Sequence, residues 1–210
     1  MSRALDIVIA SLTLVLTAPL LLVAAIAIVL RSRGSPIYRQ RRVGRDGRLF
    51  QLYKLRTMRA GADPVGVGTA VTDDDPRVTA AGRLLRRFSL DELPNLINVV
   101  RGEMAIVGPR PTIEAQVDEY TPRQRRRLEV KPGITGWAQI HGRADLSWAQ
   151  RIELDVWYVE HKSVRLDLRI LARTARMLLS GRGLTAKAEA ATEWPPREPG
   201  AEPPRREPGG

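Results

Sequence analysis

The feature that most constrains this chain is an apolar run near its start, because residues 7–30 carry no charged side chain. At roughly 1.5 Å per residue, a helix over these positions would be about 36 Å long, which is enough to cross a bilayer. The apolar core of a secretory signal peptide is shorter than this run, which argues against that interpretation. A helix buried in a protein core is a further, less favoured alternative. The run therefore predicts a helix embedded in a membrane.

The flanks of the apolar run leave two membrane topologies open. Pro19 lies in its middle, where it removes one backbone hydrogen bond and favours a bend. Arg3 precedes the run, and five arginines follow it at positions 31, 33, 39, 41 and 42. Because Lys and Arg near a membrane segment prefer the cytoplasmic side, both ends favour the same side, as a re-entrant helix requires. A straight span stays open, since the larger C-terminal cluster could set the orientation alone.

The charge balance of the chain indicates an anionic partner. There are 34 Lys and Arg residues against 23 Asp and Glu, a net charge of +11, and all but four of the basic residues are arginine. The planar guanidinium group matches the geometry of phosphate better than an ammonium group does. The partner is therefore nucleic acid, a membrane surface or a phosphorylated substrate. The sequence contains no cysteine, which excludes disulfides and thiolate metal sites.

The region after the apolar run predicts a small α+β domain that is mostly helical. Residues 43–58 indicate a β-hairpin, with its turn at 44–47 and its returning strand over 49–55. Helices are predicted over 79–87, 94–100, 112–120, 146–161 and 163–180. Thr121 followed by Pro122 is typical of an N-cap and a first helical residue. Residues 61–76 and 131–143 are rich in Gly with Asp or Pro, which predicts loops.

The chain divides into three predicted parts: a membrane helix over 1–33, a cytoplasmic or interfacial domain over 34–185, and a tail over 186–210. From Thr192 onward the tail has six prolines in 19 residues, so we expect it to be disordered. The last predicted helix places the arginines at 165, 169, 173 and 176 on one arc, beside a leucine-rich face. Such a basic amphipathic helix suits a membrane interface, although packing on its own domain fits the pattern equally well.

Two adjacent carboxylates, Asp91 and Glu92, lie among arginines at positions 86, 87 and 110. A capping box from Ser89 to Glu92 would explain them structurally, but Pro94 would then be the fifth helical residue, where an N–H should be bonded. A helix that begins at Pro94 avoids this conflict and leaves both carboxylates just ahead of its positive end. Carboxylates combined with arginines at an anion-binding position are typical of phosphate chemistry assisted by a divalent metal.

Three stretches together resemble a known family. Residues 75–111, which end in RGEMAIVGPRP, KLRTM at 54–58 and KPGITGWAQIHGR at 131–143 strongly resemble the bacterial sugar transferases, the monotopic polyprenol-phosphate phosphoglycosyl transferases. The resemblance covers roughly residues 1–180. It implies transfer of sugar-1-phosphate from a UDP-sugar to polyprenol (undecaprenyl) phosphate at the cytoplasmic face of the inner membrane, with release of UMP. This reaction is the first membrane step of surface glycan assembly. The resemblance also implies a re-entrant helix broken at Ala18-Pro19 beside a small catalytic domain.

The same resemblance assigns roles to single residues. Asp91 matches the family's nucleophile, which forms an aspartyl-phosphosugar intermediate, and Glu92 would help Asp91 to hold Mg²⁺, the implied cofactor. The phosphate-binding candidates are Arg86, Arg110, Lys54, Arg56 and Lys131. A carboxylate attacks an anionic diphosphate efficiently only when metal and cations offset the repulsion between them, which gives this combination a physical reason.

Alternative functions remain at the level of sequence. A non-enzymatic, membrane-anchored basic protein that binds anionic lipid or nucleic acid would explain the charge but not the paired carboxylates, and an inactive family member would act as a scaffold. The enzyme interpretation predicts UDP-sugar, polyprenol phosphate and membrane lipid as partners, and no nucleic acid. The residues identify neither the sugar nor the oligomeric state, and a homodimer is compatible with them. The acidic triplet at 73–75 could bind a metal, but an acidic turn before Pro76 explains it better.

Overall fold

The structure, a computed structural model, describes residues 1–59, 61–62, 75–142 and 146–180. The predicted tail over 186–210, most of the loop predicted over 61–76 and two acids of the triplet at 73–75 lie outside these residues. The helices are α1 Arg3–Arg31, α2 Ala80–Arg87, α3 Leu96–Arg101, α4 Glu114–Asp118, α5 Pro122–Arg125, α6 Trp137–Ile140, α7 Trp148–His161 and α8 Val164–Ser180. The strands are β1 Ile37–Val43, β2 Leu49–Leu55, β3 Ala105–Val107 and β4 Gly133–Thr135. The described residues are therefore mostly helical, as predicted, with two small sheets, of which the β1–β2 hairpin was predicted and the β3–β4 pair was not.

The apolar run forms α1, which continues without interruption through Ala18 and Pro19. It is the one helix in the described part of the chain that is long and apolar enough to span a membrane by length and composition. Most of its surface is exposed, with Leu16 at 71% and Leu30 at 80%, so a buried core helix is not what the structure has. A narrow stripe that includes Ala10, Ala24 and Ile28 is buried against the rest of the protein.

The predicted hairpin is confirmed. β1 and β2 pair antiparallel from Ile37 opposite Leu55 to Val43 opposite Leu49, so the returning strand has the predicted bounds. Asp46, at φ 55°, turns the chain in the left-handed region, which Asp adopts more readily than most residues. Phe50 and Leu52 alternate with exposed residues and face the core.

The predicted helices at 79–87, 146–161 and 163–180 are confirmed as α2, α7 and α8. Thr121 caps α5 with a capping box, also as predicted, and Ser147 caps α7 in the same way. On α8 the side chains of Leu166 and Ile170 are buried, whereas Leu168 is 54% exposed. The helix thus packs on its own domain and still leaves an apolar side chain beside the arginines, so its place at a membrane interface stays a prediction.

The loop prediction for 131–143 is wrong in part, because this stretch contains β4 and α6. β4 pairs in parallel with β3, and its glycine makes the contact close: a Cβ on Gly133 would lie 2.1 Å from the backbone nitrogen of Gly108. Only a residue without a side chain fits there.

The largest of the three apolar clusters among the described residues joins most of these elements. Its buried residues come from α1, β2, α3, β3, α6, α7 and α8 and the loop before β3, and they are Ala10, Phe50, Leu52, Leu96, Val99, Met104, Ile106, Val107, Ile140, Tyr158, Leu166 and Ile170. The core holds the end of β2, the segment after α2 and the loop after β3 close together.

Candidate active site

A tight turn after α2 presents the paired carboxylates. Ser89 adopts φ 53° and ψ 24°, a left-handed conformation that is uncommon for a residue with a side chain, and its N–H donates to the Arg86 carbonyl at 3.0 Å. A 3₁₀-helix follows over Leu90–Asn95, and Asp91 and Glu92 lie in its first turn. Strained backbone of this kind is often found at functional sites.

The structure corrects one local prediction. Pro94 does not begin the α-helix; it lies inside the 3₁₀-helix, and α3 begins at Leu96. In this segment the Glu92 N–H donates to the Ser89 carbonyl at 3.2 Å and the Leu96 N–H donates to the Leu93 carbonyl, so the chain is hydrogen-bonded on both sides of the proline, which has no N–H to donate. The capping box is absent as well, because the Ser89 side chain makes no capping hydrogen bond. Capping therefore does not explain the carboxylates.

Glu92 is held by two cations that come from separate elements. Lys54 of β2 donates from Nζ to Oε1 at 2.9 Å. Arg110, in the loop after β3, donates from Nη2 to Oε1 at 2.5 Å and from Nη1 to Oε2 at 3.3 Å. Burial alone would raise the pKa of Glu92, but the charges of Arg110 and Lys54 hold this pKa well below its ordinary value. Glu92 is therefore ionised at neutral pH.

Asp91 has a different environment although it is the next residue. Its side chain is largely buried, and its carboxylate makes no hydrogen bond or ion pair with the residues that the structure describes. Burial, followed by the negative charge of Glu92, raises the pKa of Asp91 to about 6, against the opposing charges of Lys54, Arg86 and Arg110. The pair thus consists of one carboxylate fixed by cations and one left available, a division of roles that is typical of catalytic acids.

The remaining predicted phosphate-binding residues lie in three different places. Arg86, in the last turn of α2, is near enough for its charge to lower the pKa of Asp91, and its Nη1 is buried without an acceptor among the described residues. Arg56 instead donates to the carbonyls of Ser32 and Arg33, at 2.7 and 2.9 Å, and fixes the chain where it leaves α1. A phosphate contact for Arg56 stays a prediction.

Lys131 lies in another basic group. Burial and then the charges of Arg3, Arg45 and Lys162 lower its pKa, with Asp6 opposing them. A Cβ placed on Gly102 would lie 3.8 Å from Lys131 Nζ and 3.2 Å from Arg3 Nη2, so these two cations are neighbours. The structure brings Lys54, Glu92 and Arg110 into contact but does not add Lys131 to them.

A buried network that the sequence did not reveal holds the Arg110 loop from behind. Arg127 donates from Nη2 to the Arg110 carbonyl at 2.9 Å and to Asp155 Oδ2 at 2.5 Å, and it also bonds the Tyr120 hydroxyl. Arg127 and Asp155 are 5% and 2% exposed. Burial raises the pKa of Asp155 to about 6 despite the charge of Arg127. A sequence signal that could have revealed this network is Asp155 itself, an acid on the apolar face of α7 between Ile152 and Val156.

The donor set around Asp91 fits a magnesium ion. Mg²⁺ is usually held by one or two carboxylates together with substrate phosphates and water, rather than by a full set of protein ligands. Asp91 offers unengaged carboxylate oxygens beside Glu92. No group of three or more His, Cys, Asp or Glu side chains suited to a metal occurs within the described ranges. Asp75 is paired with Arg77 at 2.6 Å, which agrees with an acidic turn at this position.

The sequence comparisons agree with these motifs. The sequence model of the bacterial sugar transferase family matches residues 1–181. The chain belongs to this family. A protein of Bacillus subtilis strain 168 described as an uncharacterized sugar transferase, EpsL, is 49% identical over 160 residues, which are 76% of this chain and 78% of that protein. The predicted family membership is confirmed, and the chain is a sugar transferase.

Two further relatives have names that state a reaction. A UDP-glucose:undecaprenyl-phosphate glucose-1-phosphate transferase of Caulobacter vibrioides is 45% identical over 186 residues, 85% of this chain and 69% of that protein. A protein of Escherichia coli K12 with the same name is 45% identical over 184 residues, 83% of this chain but 39% of that longer protein. The matched region in both relatives spans most of the present chain.

Proposed function

We propose that this protein transfers sugar-1-phosphate from a UDP-sugar to undecaprenyl phosphate and releases UMP. The observation that carries the proposal is the unequal carboxylate pair: Asp91 is available, and Glu92 is fixed by Lys54 and Arg110. Family membership and the names of the two relatives support the donor and acceptor classes. Binding of lipid or nucleic acid alone does not require an available carboxylate beside one that is fixed by two cations.

In the proposed mechanism, an Asp91 carboxylate oxygen attacks the phosphorus that bears the sugar. The bond from this phosphorus to the bridging oxygen breaks, UMP leaves with that oxygen, and an aspartyl-phosphosugar remains. A phosphate oxygen of undecaprenyl phosphate then attacks the same phosphorus, releases the Asp91 carboxylate and gives undecaprenyl diphosphate sugar. Since the pKa of Asp91 is about 6, the carboxylate is mostly ionised at neutral pH and can act as the nucleophile.

The cations make this attack feasible. A carboxylate and a diphosphate repel each other, and fixed positive groups reduce that cost without reorganising during the reaction. Arg110 and Lys54 are fixed by Glu92, while Arg86 has a buried Nη1, without an acceptor among the described residues, that can donate to a phosphate oxygen. Charge-assisted hydrogen bonds of this type are the stronger ones in proteins.

Asp91 and Glu92 would hold the Mg²⁺ ion. Such an ion supplies charge neutralisation for the diphosphate and the leaving UMP. Glu92 keeps its ionised form through Arg110 and Lys54, so its carboxylate contributes negative charge to the ion at any pH near neutral. Removal of divalent metal with EDTA should therefore abolish UMP release, and added Mg²⁺ should restore it.

We propose that α1 is re-entrant, with both of its ends at the cytoplasmic face of the inner membrane, and the packing of α1 on the domain supports the re-entrant part of this proposal. Ala10 packs into the core of the domain, and Ile28 packs with Leu55 and Leu85 of the same domain. These positions are about 27 Å apart along a helix. A helix that crossed the bilayer away from the domain would leave one of its halves without such contacts.

Cysteine labelling tests this topology, since the sequence contains no cysteine. Ser2→Cys and Ser35→Cys, one variant at a time, place a thiol on either side of α1. A membrane-impermeant maleimide should label both in inside-out vesicles and neither in right-side-out vesicles. Labelling of Ser2→Cys alone from the outer side would show that α1 spans the membrane.

The reaction is tested by UMP release from detergent-purified protein with Mg²⁺, undecaprenyl phosphate and a panel of UDP-sugars. We expect release from at least one donor, with a loss of about 10³-fold or more in Asp91→Asn, as is usual when a covalent nucleophile is removed. UMP release that is the same in wild type and Asp91→Asn would contradict the mechanism. Failure of every donor would contradict the activity itself.

A further inference from the structure

Behind Glu92 lies a pocket that contains an additional cation. Arg42, on β1, lines it together with Lys54, Glu92, Asn95 and Arg110. The strand β1 is anchored at this point, because the Val43 N–H donates to the Thr112 carbonyl at 2.9 Å in the loop that carries Arg110. Arg42 is therefore built into the site, although the sequence presents it only as one of several arginines that follow the apolar run.

The hydrogen bonds of Arg42 leave one of its donors without a partner. Its Nη2 donates to Gln40 Oε1 at 2.6 Å, and its Nη1 is 3.4 Å from the Pro111 carbonyl. The guanidinium group is thus fixed in orientation. Its Nε is buried and has no acceptor in the described part of the protein. A buried donor without an acceptor costs free energy, so a ligand that supplies the acceptor will be favoured there.

The charges of the residues around the pocket determine the sign of the charge that the ligand carries. Three cations, Arg42, Lys54 and Arg110, line the pocket with one carboxylate, Glu92, which is already hydrogen-bonded to two of them. The charge of Asp91 also acts on Lys54 and Arg110, so the cations still outnumber the carboxylates. Arg42 has no ion pair of its own among the described residues. Burial and the charge of Arg110 lower the pKa of Arg42 to about 10, so it is still a cation at neutral pH. The pocket accordingly favours a negatively charged oxygen.

A second unpaired group in the pocket refines the chemistry. Asn95 is 3% exposed, and its Oδ1 has no hydrogen-bond donor in the residues that the structure covers. Oδ1 accepts hydrogen bonds only, so an ionised phosphate oxygen cannot satisfy it, whereas a hydroxyl group can. A nucleoside diphosphate sugar carries both phosphate oxygens and hydroxyls, the two kinds of group that Arg42 Nε and Asn95 Oδ1 lack among the described residues.

We propose that Arg42 binds a phosphate of the nucleotide-sugar donor through Nε, with a donor hydroxyl on Asn95 Oδ1. This inference rests on the proposed function, since it concerns the donor of that reaction. Arg42 makes no hydrogen bond to Glu92, so it contributes to donor binding rather than to the arrangement of the carboxylates. Its loss should appear in KM for the donor more than in kcat.

The test compares Arg42→Met, Arg42→Lys and a matched control, Arg41→Met. Arg41 is the preceding residue on the same strand, and its side chain is 61% exposed. In UMP release, Arg42→Met should raise KM for the UDP-sugar roughly tenfold or more while kcat changes less than about threefold, as expected for one charged hydrogen bond. Arg42→Lys, which keeps the charge, should recover part of the loss. Arg41→Met should match wild type.

A binding measurement separates this inference from the proposed reaction. UDP and the UDP-sugar should each raise the melting temperature of wild type and Arg41→Met, and inorganic pyrophosphate should raise it less, because pyrophosphate lacks the ribose and sugar hydroxyls that would bond Asn95. Arg42→Met should lose most of these shifts. If wild type releases no UMP but shows this pattern, the reaction is wrong and the role of Arg42 stands. Equal shifts in Arg42→Met and Arg41→Met would overturn the inference.

Discussion

Replacing the Asp91 carboxylate with an amide should stabilise the metal-free protein although it removes the proposed nucleophile. Asp91 is 9% exposed, and its carboxylate has no hydrogen-bond or ion-pair partner among the described residues. Burial and Glu92 raise its pKa from 3.8 to about 6. Such a rise corresponds to about 3 kcal/mol of unfavourable free energy for the ionised form. Asp91→Asn should therefore increase the free energy of unfolding by up to about 3 kcal/mol at neutral pH.

The pH dependence gives this prediction a sign that can be checked. The folded-state pKa is raised, so the carboxyl group imposes no cost below its ordinary pKa of 3.8. The cost grows between pH 3.8 and about 6 and levels off above that range. The advantage of Asp91→Asn over wild type should be small near pH 4 and complete above about pH 7. Mg²⁺ should reduce it, because the ion compensates the charge of Asp91.

The neighbouring carboxylate supplies the control. Glu92→Gln removes the partner of Lys54 and Arg110, so it should lower the melting temperature in the same buffer. The assay is tryptophan fluorescence during heating in detergent with EDTA, and 3 kcal/mol corresponds to roughly 6–12 °C in a chain of this size. A melting temperature of Asp91→Asn at or below that of wild type above pH 7 would refute the reasoning.

Substitutions at three further places in the structure test the supports of the site. Arg127→Met should lower the free energy of unfolding by about 3–5 kcal/mol, because it leaves the buried Asp155 unpaired. The double variant Arg127→Met, Asp155→Leu should recover part of this loss, and additive losses in the melting temperature would contradict the pairing. Ser89→Gly should leave stability unchanged or slightly higher, since glycine adopts the left-handed conformation freely, whereas Ser89→Val should lose both stability and UMP release. Equal melting temperatures of the two variants would refute the claim that the backbone at position 89 is strained. Gly133→Ala should prevent the close contact with Gly108 and abolish UMP release, and full activity of this variant would contradict the backbone contact.

Local patterns predicted the elements whose contacts are close in sequence. The hairpin followed from its turn and from the alternation that buries Phe50 and Leu52, and α5 followed from Thr121 and Pro122. The parallel pairing of β3 with β4 was not predicted, because each strand has three residues and the partners are far apart in the chain. Short strands of this kind carry too little periodicity to be recognised from sequence.

In the site, as in the fold, the sequence predicted some residues and could not predict those whose contacts form only in the folded chain. The residue pattern pointed to Asp91, Glu92 and Arg110, and the family resemblance added Lys54 and the roles of these residues. The structure brings Glu92, Lys54 and Arg110 into contact. Arg127 was not predicted, because its role depends on a carbonyl and a carboxylate that reach it only in the folded chain. The 3₁₀ geometry was missed as well, since a proline within a turn and a proline that begins a helix give the same sequence pattern.

The most direct test of the central claim is the mass of the intact protein after incubation with Mg²⁺ and the reactive UDP-sugar in the absence of undecaprenyl phosphate. Covalent catalysis by Asp91 predicts an added mass equal to one sugar phosphate on the wild-type chain, an adduct that disappears when undecaprenyl phosphate is added and never forms in Asp91→Asn. Acceptor-dependent UMP release from a chain that never gains this mass would contradict the account, because the sugar phosphate would then pass directly from donor to acceptor.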